Sequence, residues 1–240
     1  MNRFDASISL KGLFSGDARK PTVILILGSL LLLTSKYYGT KAFYIENLSS
    51  TLVWFNNPAL TAEYYVFLSS FVLLAVIPLA IIRFSFREPF SSYGLHTGDW
   101  RFGWKAVAVI APIMIVSAFP SSKMPDFLAE YPLYKGAGNS ASDFVAHALA
   151  YLVFYVGWEV FFRGFMQFGL RDRFGDWLTI LVCAMAAGLW HIGKPAGETY
   201  TSILGAIVWG MVAFRTRSIL YTLLIHWLLG VSLDFFICFT

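Results

Sequence analysis

The sequence predicts an all-α protein, a polytopic transmembrane bundle of about seven helices. Three observations carry that expectation. The 240 residues are 58% hydrophobic and only 13% charged, where a soluble domain holds about a quarter charged residues. Long uncharged runs alternate with short charged connections, as membrane spans do. The ionisable residues that do fall deep inside apolar runs are gathered in the last four of them. Cys183 and Cys238 both sit in apolar runs and point to neither a disulfide framework nor a thiolate metal site.

The expected spans cover residues 23–35, 64–82, 106–122, 144–170, 177–193, 199–214 and 218–233. The first is short against the ~20 residues a span needs, and Arg19 and Lys20 precede it as they would a signal peptide. Lys36, Tyr37 and Tyr38 follow it in place of a small-residue cleavage site, so it is expected to be an uncleaved span. The fourth is interrupted only by Glu159 and Arg163. Residues 39–62 and 120–142 are expected outer connections, and residues 86–105 an inner one. Ser142–Asp143 is the expected start of the fourth helix. The longest loop divides residues 1–142, a three-span region with a basic N-terminus on the inner surface, from residues 143–240, a four-helix core. Ala184/Gly188 and Ala206/Gly210 have the small-xxx-small spacing that permits close helix contact.

Charge orients the bundle. With the N-terminus inside, the inner segments hold 13 basic residues: Arg3, Lys11, Arg19, Lys20, Arg83, Arg87, Arg101, Lys105, Arg163, Arg171, Arg173, Arg215 and Arg217. The outer ones hold 5: Lys36, Lys41, Lys123, Lys135 and Lys194. That bias is expected of a cytoplasmic N-terminus, and it explains the net charge of +4 without a nucleic-acid partner. The expected surroundings are a lipid bilayer, the cytoplasmic membrane of a prokaryote.

Ionisable groups in a bilayer core are expensive and call for a reason. Glu159, Arg163, His191 and His226 lie well inside the last four spans, and Asp234 lies further along the last. Helix rise puts Glu159, His191 and His226 roughly 18, 22 and 14 Å from the inner boundary. One carboxylate and two imidazoles on three helices thus reach similar depth, which favours a shared site over isolated structural polar residues. Glu159 and Arg163 have the four-residue spacing of a helical ion pair. HExxH and Gly-x-Ser-x-Gly motifs are absent.

These residues resemble a known family. Glu159-Val-Phe-Phe-Arg163-Gly164 resembles the first motif, Glu-Glu-x-x-x-Arg, of the CAAX protease and bacteriocin-processing (CPBP, or Abi) family. His191, closing Ala187-Gly-Leu-Trp-His191, matches the second motif. His226, opening His226-Trp-Leu-Leu-Gly230, matches the third. Trp158 stands where the first Glu of the family pair is usual, and Gly230 where an Asn is usual. Asp234 and Glu198 are the candidate substitutes.

The resemblance implies an intramembrane endopeptidase of glutamate type, cleaving a membrane-embedded or membrane-anchored peptide or protein. Glu159 is then the expected base, His191 the residue that orients water and His226 the donor to the oxyanion, with Arg163 supporting. No cofactor is expected. The second choice is zinc on Glu159, His191 and His226, since one Glu and two His can make a catalytic site. A non-catalytic immunity or scaffold protein is the alternative reading, and a transporter a more distant one.

Overall fold

The computed structural model describes residues 10–54 and 56–240. Arg3 and the rest of the expected inner-surface segment before residue 10 lie outside them. Among the described residues there is no strand, and the fold is the all-α bundle expected.

After short turns at Leu10–Leu13 and Gly16–Ala18, helix α1 runs Arg19–Tyr38 and α2 Lys41–Asn47. The third helix, α3, starts at Pro58 and runs through two π-helical stretches to Phe86. Then come α4 (Trp100–Ser121), α5 (Pro125–Glu130) and α6 (Ala141–Glu159). A nine-residue π segment, Val160–Phe168, leads into α7 (Gly169–Trp190), followed by α8 (Ala196–Thr216) and α9 (Leu220–Phe239). The expected outer connections are therefore partly helical. Pro58 occupies a first-turn position, where its missing N–H costs nothing. The start of α6 lies slightly before the expected Ser142–Asp143: the Ser140 side chain accepts from the Asp143 N–H at 3.1 Å, an ordinary N-cap.

By length and composition, five stretches can cross a membrane: Gly16–Tyr38, Pro58–Phe86, Trp100–Ser121, Ala141–Trp190 and Leu220–Phe239. Two features account for the difference from the expected seven. Ala141–Trp190 is one 50-residue helical stretch holding two of the expected spans. It folds back at Gly175, whose φ of 71° and ψ of 176° suit glycine alone. The fold-back is plain from Trp158 and Trp190, whose ring centroids are 4.7 Å apart; an unbroken helix would separate these residues by about 48 Å. Arg171 closes the turn with two hydrogen bonds to Asp176, at 2.7 and 3.0 Å. The other feature is α8, which has the length of a span but carries Glu198, Thr199, Thr201 and Ser202 in its first turns.

Large apolar side chains project outward at helical spacing: Val109, Ile113 and Val116 on α4, and Leu181, Met185 and Leu189 on α7, all exposed. On a soluble protein such stripes would form an aggregation-prone patch; in a bilayer they face lipid. The π segment lies at the other extreme. Val160 through Gln167 are buried on every side, and Phe161, Phe162 and Phe165 pack there with Cys183 and Ala187 of α7. Ala184 and Ala206, from the two small-residue pairs, meet in that same cluster.

The two ends of the bundle differ. One is tied by Lys20–Glu88, Arg171–Asp176 and Arg215–Asp99 ion pairs. The other joins the ends of α1, α5 and α7 to the start of α8 through Lys36, Glu130, Tyr131 and Lys194.

Candidate active site

Helix α6 brings Glu159 to the centre of the bundle, where it is wholly buried. Its Oε1 is 2.9 Å from His226 Nδ1 on α9, and its Oε2 accepts from Thr222 Oγ one turn earlier, at 2.7 Å. A carboxylate can only accept, so Nδ1 is the protonated nitrogen in this pair and Nε2 is left for other partners. Both carboxylate oxygens are thus engaged.

Arg163 is also buried, with Nε 3.7 Å from Glu159 Oε2. The π segment starts at Val160, and its wider turn spoils the four-residue register. The guanidinium donates instead to Gln167 Oε1 at 3.2 Å and to the Ala206 carbonyl of α8 at 3.1 Å. Arg163, counted among the inner basic residues on sequence, sits in the bundle interior.

His191 caps the C-terminal end of α7. Its Nδ1 is 2.7 Å from the Ala187 carbonyl and must donate to it, which leaves Nε2 as an acceptor facing Glu198 Oε1 at 3.7 Å. Glu198, in the first turn of α8, accepts from the Tyr131 hydroxyl at 2.8 and 2.9 Å. Burial, with Glu198 beside it, pushes the Tyr131 phenol well above its ordinary pKa, so Tyr131 stays protonated and donates.

His191, Glu198 and His226 line one cavity of about 530 Å³ at the end of the bundle away from the Arg-rich loops, within the usual ligand-pocket range. Glu159 does not line it. The structure therefore brings Glu159 together with His226, and His191 together with Glu198. Trp158, at the position of the family's first Glu, also lines the cavity: its indole lies 5.3 Å from the His191 ring and 6.1 Å from that of His226.

Gly230, where the family has Asn, opens a slot in α9. A Cβ there would lie 1.9 Å from the Tyr155 hydroxyl. Tyr155 comes from α6, lines the cavity and packs its ring 4.7 Å from His226. Sequence reasoning missed Tyr155 and Tyr131; the one signal for Tyr155 is its position one helical turn before Glu159.

Asp234 is elsewhere. Its Oδ2 is 2.7 Å from His147 Nε2, and His147 Nδ1 is hydrogen-bonded to Glu63. All three are buried, so this cluster ties α3, α6 and α9 together. Among the described residues no group of three His, Cys, Asp or Glu side chains converges as metal ligands. The Glu159, His191 and His226 set does not fit zinc, because Glu159 is turned onto His226 Nδ1 and away from the cavity.

The fold and site define an integral membrane protein with a buried carboxylate–histidine pair beside a cavity that holds a second carboxylate and a second histidine. Residues 140–232 match the family described as type II CAAX prenyl endopeptidase Rce1-like. The matched segment is the one that carries the three motifs, and the likeness supports a membrane protein of the CAAX-protease type. No curated protein and no solved structure gives a match.

Proposed function

We propose that this protein is an intramembrane endopeptidase in which Glu198, rather than Glu159, activates water. The observation that carries this is the division of labour between the two carboxylates: Glu198 and His191 face the cavity, while Glu159 is spent on His226 and Thr222. A water between Glu198 Oε1 and His191 Nε2 gives its proton to Glu198 as its oxygen attacks the scissile carbonyl. The C–N bond then breaks, and Glu198 returns the proton to the leaving amine. His226 donates from Nε2 to the developing oxyanion. The Glu159 carboxylate at Nδ1 orients the ring so that Nε2 is left for the substrate, as a buried carboxylate orients a catalytic imidazole. The Tyr155 hydroxyl is a second donor to the oxyanion. No step uses a metal.

The cavity sits at the end with few basic residues. Of the 13 inner basic residues, Arg3 is outside the described chain and Arg163 is interior; the other 11 stand against 5 at the cavity end. By the positive-inside rule the cavity opens on the non-cytoplasmic side, and the substrate is a membrane-anchored peptide presented there.

The test compares new peptide termini in membranes from cells making the wild type or Glu198→Gln. Cleavage products that vanish in Glu198→Gln at equal levels of folded protein are expected. The same products in both would overturn Glu198 as the base.

A further inference from the structure

Three ammonium groups and two carboxylates line the cavity. Two of the cations are engaged. Lys194 pairs with Glu130. Lys36 donates to the Ile192 carbonyl at 2.9 Å and lies 4.6 Å from the Trp190 ring centroid. Glu198 is held by Tyr131. Lys41, at the start of α2, lines the same cavity. Among the described residues it forms neither a hydrogen bond nor an ion pair.

We infer that Lys41 binds a carboxylate of the peptide substrate, fixing how far the scissile bond lies from a negative charge. This rests on the protease reading above. Among the lysines and glutamates of the lining there is one cation more than there are anions, and Lys41 is the group left over. Burial pushes its pKa down and Lys135 and Lys194 add to that, while Glu63 and Glu130, both beyond ion-pair reach, pull the other way. A partly desolvated cation without a partner is costly, and an anion that displaces the remaining water gains from a weakly screened field. Trp158, His191 and His226 line the same cavity. A ligand carboxylate on Lys41 therefore keeps the adjoining backbone in the space that holds the catalytic groups, which favours a peptide over a lipid phosphate at the rim.

The carboxylate has two sources, a free C-terminus or an Asp or Glu side chain close to the cleaved bond. Three probes separate them: an N-acylated alanine–leucine tetrapeptide acid, its C-terminal amide, and an amide with an internal Asp. Binding to the full chain in phosphatidylcholine nanodiscs is read by tryptophan fluorescence, since Trp158 and Trp190 line the cavity. At least one carboxylate probe should bind about tenfold or more tighter than the plain amide. Lys41→Met should abolish the preference and Lys41→Arg retain it. Preference for the acid assigns the C-terminus, and preference for the Asp peptide a side chain. No preference in the wild type, whether through equal binding or none, would overturn the inference, as would a preference that survives Lys41→Met. Displacement of the probes by phosphatidylglycerol at matched concentration would give Lys41 to lipid instead. Glu198→Gln should keep the binding preference and lose cleavage. If cleavage survives that change, the protease chemistry proposed here fails while the Lys41 result stands.

Discussion

Glu159 and His226 meet at 2.9 Å, yet only the imidazole reaches the cavity. A hidden carboxylate that holds a cavity-lining ring can orient it, but it cannot touch water in the cavity. The two glutamates should therefore respond differently to the same substitution.

Glu159→Gln should lower the cleavage rate by up to about 10⁴-fold, the loss that follows when the carboxylate orienting a catalytic imidazole becomes an amide. It should also reduce the folded protein in the membrane, because buried Arg163 loses its nearest anion. Glu198→Gln should cost about 10²–10⁴-fold in rate with folded levels intact. Cleavage assays beside a measure of monodisperse protein separate the two. Equal effects on folding would show that Glu198 is as structural as Glu159.

Tyr155→Phe keeps the ring against His226 and removes only the hydroxyl. Loss of one oxyanion donor should lower kcat by about 10²–10³-fold, with KM little changed. A shift confined to KM would make Tyr155 a substrate contact and not a donor to the oxyanion.

Orientation can be read by labelling. In a chain lacking Cys183 and Cys238, a cysteine at the exposed position Asn139 should react with an impermeant maleimide added outside intact cells. One at Arg101 should react only after permeabilisation. The opposite pattern would turn the cavity towards the cytoplasm.

Glu63, His147 and Asp234 form a polar clamp between three helices. His147→Phe leaves two buried carboxylates without a partner, and loss of one member of such a cluster costs about 3–5 kcal/mol. Thermal unfolding in detergent should show a clear loss of stability. If cleavage by the surviving folded fraction is normal, Asp234 has no part in catalysis.

Much of this was legible in the sequence. Apolar runs separated by charge gave the helices, and matched depth brought Glu159 and His226 to the same level. Depth along a helix says nothing about azimuth, however, and so could not tell that Glu159 turns from the cavity while Glu198 turns towards it. The π segment adds to this, because its wider turn sends Arg163 to Gln167 and Ala206. The Glu63–His147–Asp234 clamp joins residues 84 and 87 positions apart, with no local pattern to announce it. Lys41 looked like one more outer charge; only packing shows that, among the described residues, it has no hydrogen-bond or ion-pair partner.

The slot at Gly230 couples two distant positions. An asparagine there and a tyrosine at position 155 would compete for the same volume, so α9 or α6 can supply a polar group beside His226, but not both. Restoring the family residue at Gly230 alone would evict the Tyr155 ring before it offered an amide in exchange. A chain moving between the two arrangements must change both positions together, and either intermediate step leaves the site with a clash or a hole.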